Sequence, residues 1–151
     1  MKTIDILDMT LEALNGRHRT IRIFLPDSYT KETEKHYPVL YMHDGQNLVD
    51  PAKFSGYSWD VLNTAHKLAN QKQIPELIIV GIDSDDEHRI EEYTHSLSKH
   101  AMKGIQKYQT RANFIPEGEN YARFIVNQLK PYDDSHYRTL PWRETTAIAG
   151  R

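Results

Sequence analysis

The densest run of chemistry-bearing side chains in this sequence is His43-Asp44-Gly45-Gln46-Asn47. It follows without a spacer on the apolar run 37–42 (YPVLYM). A second polar cluster, Asp83-Ser84-Asp85-Asp86-Glu87, closes another apolar run, 76–83 (ELIIVGID). Open α/β sheets gather their ligands at the carboxyl ends of strands, so both clusters are candidate sites. One chemistry that suits the residue types is a carboxylate site. Asp44 and Asp83, with Asp85 and Asp86, would converge on Mg²⁺ for phosphoryl transfer. Against it, short acidic residues often cap the turns that follow strands, and no glycine-rich phosphate cradle follows either run. The eight histidines suggest a metal, yet His43, His88, His95, His100 and His136 are scattered and none falls in an HExxH-type spacing. No metal and no other cofactor is expected. There is no cysteine, hence no thiolate nucleophile, thiolate zinc site or disulfide.

The elements that would position these clusters alternate along the chain. Asn15-Gly16 is the preferred pair for a two-residue type I′ turn, and it separates residues 3–14 from 18–25. In residues 17–25 (RHRTIRIFL), Ile21, Ile23 and Leu25 share one face and Arg22 and Phe24 the other. An antiparallel hairpin is therefore expected, stopped at Pro26-Asp27-Ser28. The run 37–42 reads as a strand covered on both faces, because its apolar residues do not alternate. Ser58 or Asp60 is expected to cap a helix whose Val61, Leu62, Ala65, Leu68 and Ala69 recur at helical spacing. The second buried strand follows, then a segment from 83 to 117 without clear periodicity, long enough to suggest a functional loop. A helix over 118–129 is expected to stop at Pro131, and residues 144–149 (ETTAIA) to start a third buried strand. Strands alternating with helices imply a mostly parallel sheet with helices on both faces.

Composition narrows the function classes. The chain has 151 residues, 38% of them hydrophobic and 26% charged, with a formal net charge of −2. No basic balance favours nucleic acid or an anionic membrane, and no apolar run approaches the ~20 residues that span a bilayer. The N-terminus lacks the apolar core of a signal peptide. A cytoplasmic location fits these features.

Several pieces then add up in order. They are YPVLYMHDGQNLVD; Trp59-Asp60; ELIIVGID with Arg89, Glu92, Tyr93 and Thr94; Gly118, Tyr121, Ala122, Phe124 and Ile125; Leu129-Lys130-Pro131; Tyr137-Arg138-Thr139; and Thr146-Ala147-Ile148-Ala149-Gly150. This ordered set resembles the putative-esterase family (esterase D, enterochelin-esterase-like) of α/β-hydrolases, from about Ile21 to Gly150. The resemblance implies an α/β fold and a single partial α/β-hydrolase domain over 1–151. That domain would be the N-terminal portion, an antiparallel hairpin followed by parallel strands up to the fifth. It also implies a Ser-His-Asp triad, with the serine on a Gly-x-Ser-x-Gly elbow directly after the fifth strand. Gly150 matches the elbow's first glycine and Arg151 its variable position, so the nucleophile is expected immediately after Arg151. No catalytic residue is assigned within the chain.

What the resemblance leaves in the chain is half an oxyanion hole. The loop at Gly45-Gln46 would supply one backbone N–H, with Gln46 the favoured donor. Asp44, Asn47, Trp59, Arg89, Glu92 and Tyr93 are candidate substrate-binding residues at the rim, although Arg89 and Glu92 also suit a simple pair that pins the long segment. The implied function is serine carboxylic-ester hydrolysis of small acyl esters, including acetylated sugars or siderophore-type esters. The 151 residues alone are expected to be inactive. The alternatives are a non-catalytic, truncated binding module and the carboxylate–magnesium phosphohydrolase. A small-molecule ester is the expected partner. Self-association is expected through the exposed apolar edge of residues 145–149.

Overall fold

The computed structural model describes residues 2–49, 58–108 and 114–150. By its contacts the chain forms two compact units, one of residues 1–9, 18–84 and 132–151, the other of residues 10–17 and 85–131. Each is taken by itself.

The first unit is built on a five-stranded sheet. Its strands are β1 (Lys2–Leu11), β2 (Arg17–Leu25), β3 (Val39–His43), β4 (Ile78–Ile82) and β5 (Thr146–Ala149), in the order β1-β2-β4-β3-β5. β2 runs antiparallel to β4, with Ile21 opposite Ile82 and Ile23 opposite Val80. β3 lies parallel between β4 and β5, with Leu40 opposite both Ile79 and Ala147. The lack of alternation in β3 and β4 has the expected cause, since both strands are covered on two faces. One face packs Phe24, Met42 and Ile79 with Leu48 and Ala65, and α1 (Val61–Asn70) lies over it. The other face carries Ile21, Ile23, Tyr41, Ile78, Val80 and Ile82, all buried. Burial, with the neighbouring Asp133 carboxylate, pushes the Tyr41 phenol pKa up.

The second unit holds the short helices α2 (Arg89–Glu92), α3 (Lys99–Tyr108) and α4 (Gly118–Phe124). Its buried residues include Leu11, Leu14, Phe114, Tyr121, Phe124 and Leu129. Segment 83–117 is thus partly helical. Residues 109–113 lie outside the described residues, as do Asp50 and residues 51–57.

Four local expectations are corrected. Asn15 (φ 56°) and Gly16 (φ 73°) are both left-handed, as a type I′ pair requires. But β1 ends at Leu11 and a 3-10 turn, Glu12–Leu14, intervenes to bury Leu14, so the connection is longer than two residues. Neither Ser58 nor Asp60 caps α1 with its side chain. Asp60 is left-handed (φ 52°), its carboxylate accepts from Asn63 Nδ2 (2.6 Å), and Ser58 Oγ accepts from the Asp60 N–H (3.1 Å). Pro131 does not stop the helical run. A π-turn, Ile125–Leu129, follows α4, with the Lys130 N–H bonded to the Ile125 carbonyl, and α5 (Lys130–His136) continues past the proline. The π-turn shifts the acceptor register by one residue, which relieves the ring–carbonyl clash a proline makes inside a regular helix. Finally, β5 is not buried. Ala147, Ile148 and Ala149 are exposed, because β5 pairs with β3 alone among the described strands.

Candidate functional site

Lying parallel between β4 and β5, β3 delivers its carboxyl end between theirs. Asp44 makes the exit. It is 98% buried, left-handed (φ 54°, ψ 48°), and turns the chain from β3 into a 3-10 turn, Gly45–Leu48, closed by an Asn47 N–H to Asp44 carbonyl bond of 2.9 Å. Gly45 then lies directly on the backbone of β4. A Cβ there would sit 2.6 Å from the Gly81 carbonyl carbon and 2.7 Å from the Ile82 nitrogen, which no real Cβ tolerates. Gly81 answers from below, its own Cβ position 3.1 Å from Gly45 Cα.

Gln46 is held through its side chain. Its Nε2 donates to Ser84 Oγ (2.8 Å) and its Oε1 accepts from the Ser84 N–H (3.0 Å). The first N–H groups of a helical turn have no acceptor inside the turn. In this one those donors are Gly45 and Gln46, which suits them to a developing negative charge. The Asn47 carbonyl accepts from the Trp59 N–H (3.1 Å), while the Trp59 side chain packs partly against the Phe24–Met42–Ile79 cluster. Asp44, Gly45, Gln46, Asn47 and Trp59 are therefore gathered at one place.

The end of β5 reaches the same place. A Cβ on Gly150 would lie 2.8 Å from His43 Cδ2, so the residue that follows β5 rests against the ring that ends β3. Arg151 is outside the described residues.

The end of β4 is committed differently. Arg22 grips both oxygens of Asp83, Nε to Oδ1 and Nη2 to Oδ2, each at 2.7 Å, and Arg19 Nη1 donates to the Asp83 carbonyl (3.3 Å). A carboxylate chelated by a guanidinium has little left for a cation. No cluster of three or more His, Asp or Glu suited to a metal occurs among the described residues.

Arg89, Glu92 and Tyr93 lie in the second unit. The Glu92 carboxylate, fully buried, accepts from Arg17 Nη1 (3.1 Å), and Arg17 also forks onto Glu117 (2.6 and 3.1 Å). Burial alone would lower the Arg17 pKa; the two carboxylates outweigh it and hold it raised. The Arg89 guanidinium lies over the Tyr93 ring (4.9 Å), and Tyr93 packs on Tyr121 (5.4 Å). The preceding turn is set by Asp85, whose Oδ1 accepts from the Glu87 N–H (2.9 Å) and the His88 N–H (3.1 Å).

Sequence reasoning missed Ser84, Gly81, Arg22 and Arg17. Ser84 had a signal, since it stood in the second strand-end cluster. Arg17, whose partners are far along the chain, had none.

Comparison with known proteins fits this geometry. The family model described as putative esterase matches residues 12–151. Among solved structures, an IroE-like serine hydrolase from Shewanella oneidensis is 26% identical with a TM-score of 0.68, over 91% of this chain and 40% of that one. A ferulic acid esterase is 23% identical, TM-score 0.63, over 99% and 49%. The enterobactin esterase of Shigella flexneri, crystallised with enterobactin, is 18% identical, TM-score 0.66, over 99% and 30%. The chain thus spans less than half the length of the solved structures it matches here, and the last two likenesses speak for the fold alone. With its hairpin, its parallel β4-β3-β5 core and a family match over nearly all its residues, the chain belongs to the putative esterase family.

Proposed function

We propose that this chain carries the oxyanion-loop side of a serine carboxylic-ester hydrolase acting on small acyl esters. The observation behind this reading is the 3-10 turn Gly45–Leu48, whose leading N–H groups sit at the carboxyl end of β3 beside the end of β5. In the reaction a serine directly after Arg151 attacks the ester carbonyl. The Gln46 N–H receives the oxyanion; its collapse breaks the ester C–O bond, expels the alcohol and leaves an acyl-serine, from which water releases the acid and frees the serine. An oxyanion donor of this kind contributes about 3–4 kcal/mol to the transition state. Asp44 and Asn47 shape the loop, and Trp59 flanks it. The ferulic acid and enterobactin esterases among the structural neighbours make aryl and siderophore-type esters reasonable substrates to assay.

The test has two parts. Reading the coding sequence past codon 151 is expected to give Ser-x-Gly, and the protein it encodes to hydrolyse p-nitrophenyl acetate in a manner lost when that serine becomes alanine. The isolated 151 residues are expected to show no turnover above a denatured control. Turnover by those 151 residues alone, or a coding sequence without the serine, overturns the reading.

A further inference from the structure

We propose that Ser84, on the loop after β4, is a positioning residue that aims the Gln46 backbone N–H. The proposal rests on the esterase reading for what that N–H does, and on the geometry alone for how it is held.

A single four-residue 3-10 turn is a soft object, because its hydrogen bonds are poorly aligned and few. In this one the closing bond, Asn47 N–H to Asp44 carbonyl, and the Trp59 N–H on the Asn47 carbonyl hold the far end, and three contacts hold the leading end, from the exit residue and from β4 and its loop. The left-handed Asp44 fixes the direction of departure. The Gly45–Gly81 approach fixes the height of the turn above the sheet. Neither fixes rotation of the peptide that bears the Gln46 N–H about the axis of the turn.

The Gln46–Ser84 pair does. The Ser84 N–H can only donate, so it must face Gln46 Oε1, at 3.0 Å. That leaves Nε2 facing Ser84 Oγ, at 2.8 Å, with the hydroxyl accepting. Two bonds of opposite sense admit one orientation of the carboxamide, and a carboxamide locked at its far end restricts χ1 and χ2 back to the Gln46 Cα. The loop that carries the N–H is thus oriented by a residue 38 positions away that need never touch substrate.

Ser84→Ala tests this, because it deletes the acceptor for Nε2 while keeping the backbone half of the pair. In the 151-residue chain the order parameter of the Gln46 N–H, measured by ¹⁵N relaxation, is expected near the rigid value of about 0.85 and to fall toward about 0.6 in Ser84→Ala. Ser84→Thr, which keeps the hydroxyl, is expected to restore it. In the protein encoded by the complete coding sequence, kcat for p-nitrophenyl acetate is expected to fall at least tenfold in Ser84→Ala. KM should stay within twofold and the melting temperature unchanged, with rescue again by Ser84→Thr. That split between kcat and KM is one that a packing defect does not produce. An unchanged order parameter, or a loss of order spread through β3 and β4, overturns the proposal. So does a kcat that falls only in step with stability. A loop that loosens in Ser84→Ala while the complete wild-type protein shows no esterase activity sinks the esterase reading and leaves the loop-aiming role standing.

Discussion

At the scale of single residues, the candidate site is determined by what is missing from two glycines as much as by what other side chains supply. Gly45 needs no unusual φ. It is glycine because the β4 backbone occupies the place of a Cβ. Gly45→Ala is therefore expected to lift the turn off the sheet and to destabilise the protein by about 2–3 kcal/mol, in line with other overpacking changes. Thermal melts of the wild type and variant check this, and a loss below 0.5 kcal/mol contradicts it. Gly81→Ala is expected to cost less, because one of its two close contacts is the movable Cδ1 of Leu48, at 3.0 Å. At this scale the sequence was legible where a strand ran straight into polar residues: Asp44, Gly45, Gln46 and Asn47 could be picked out from their position alone. It was not legible where a role depends on a partner from another strand. Nothing local in Arg22 announces that it will fork onto Asp83, and without that pairing Asp83 reads as an available carboxylate.

At the scale of elements, periodicity located β2, β3, β4 and α1 because each buries a face whose pattern is written in a few consecutive residues. It failed at ends and breaks, where backbone geometry decides. The helical run across Pro131 is the instructive failure. Proline costs about 3 kcal/mol or more inside a regular helix, so a stop was the sensible expectation. The π-turn over Ile125–Leu129 changes that sum in advance. Pro131→Ala is accordingly expected to change stability by less than about 1 kcal/mol, since the backbone there already accommodates the ring. A gain of 2 kcal/mol or more in a denaturant melt shows instead that the proline is strained in place.

At the scale of the whole chain, exposure and charge make the predictions. β5 presents Ile148 (54% exposed) at the sheet edge, and Trp142 (65% exposed) lies just before it. A groove of about 300 Å³ lined by Pro38, Val39, Leu40, Ile74 and Leu77 opens on the same edge. An apolar strand edge of this kind pairs with another. The 151 residues are expected to elute larger than a monomer in size exclusion with light scattering, and Ile148→Lys to shift them toward monomer. A wild type that elutes as a monomer contradicts this. Acid sensitivity follows from Glu76. Burial would raise its pKa, but Lys35 (2.6 Å) and Ser28 (2.6 Å) hold it below 4.5. A depressed folded value means the carboxylate stabilises the fold above pH 4.5 and loses that contribution as the pH drops through 4.5 and lower. With Lys35 partly exposed, the effect is expected to be small, about 1 kcal/mol or less, and weaker in salt. Melting temperature against pH for the wild type and Glu76→Gln reads it directly, the variant giving the flatter curve.

The strand order has a consequence for how the chain is made. β3 lies between β4 and β5, and its Leu40 is matched to Ala147, about 100 residues later. A ribosome adding about 5–20 residues per second needs on the order of 5–20 s to supply that neighbour. Throughout that interval the apolar strand β3 waits with one edge open, even after β4 has docked on the other. The nascent chain is therefore a natural client for a chaperone that recognises short apolar segments, and residues 37–42 are the segment it would hold.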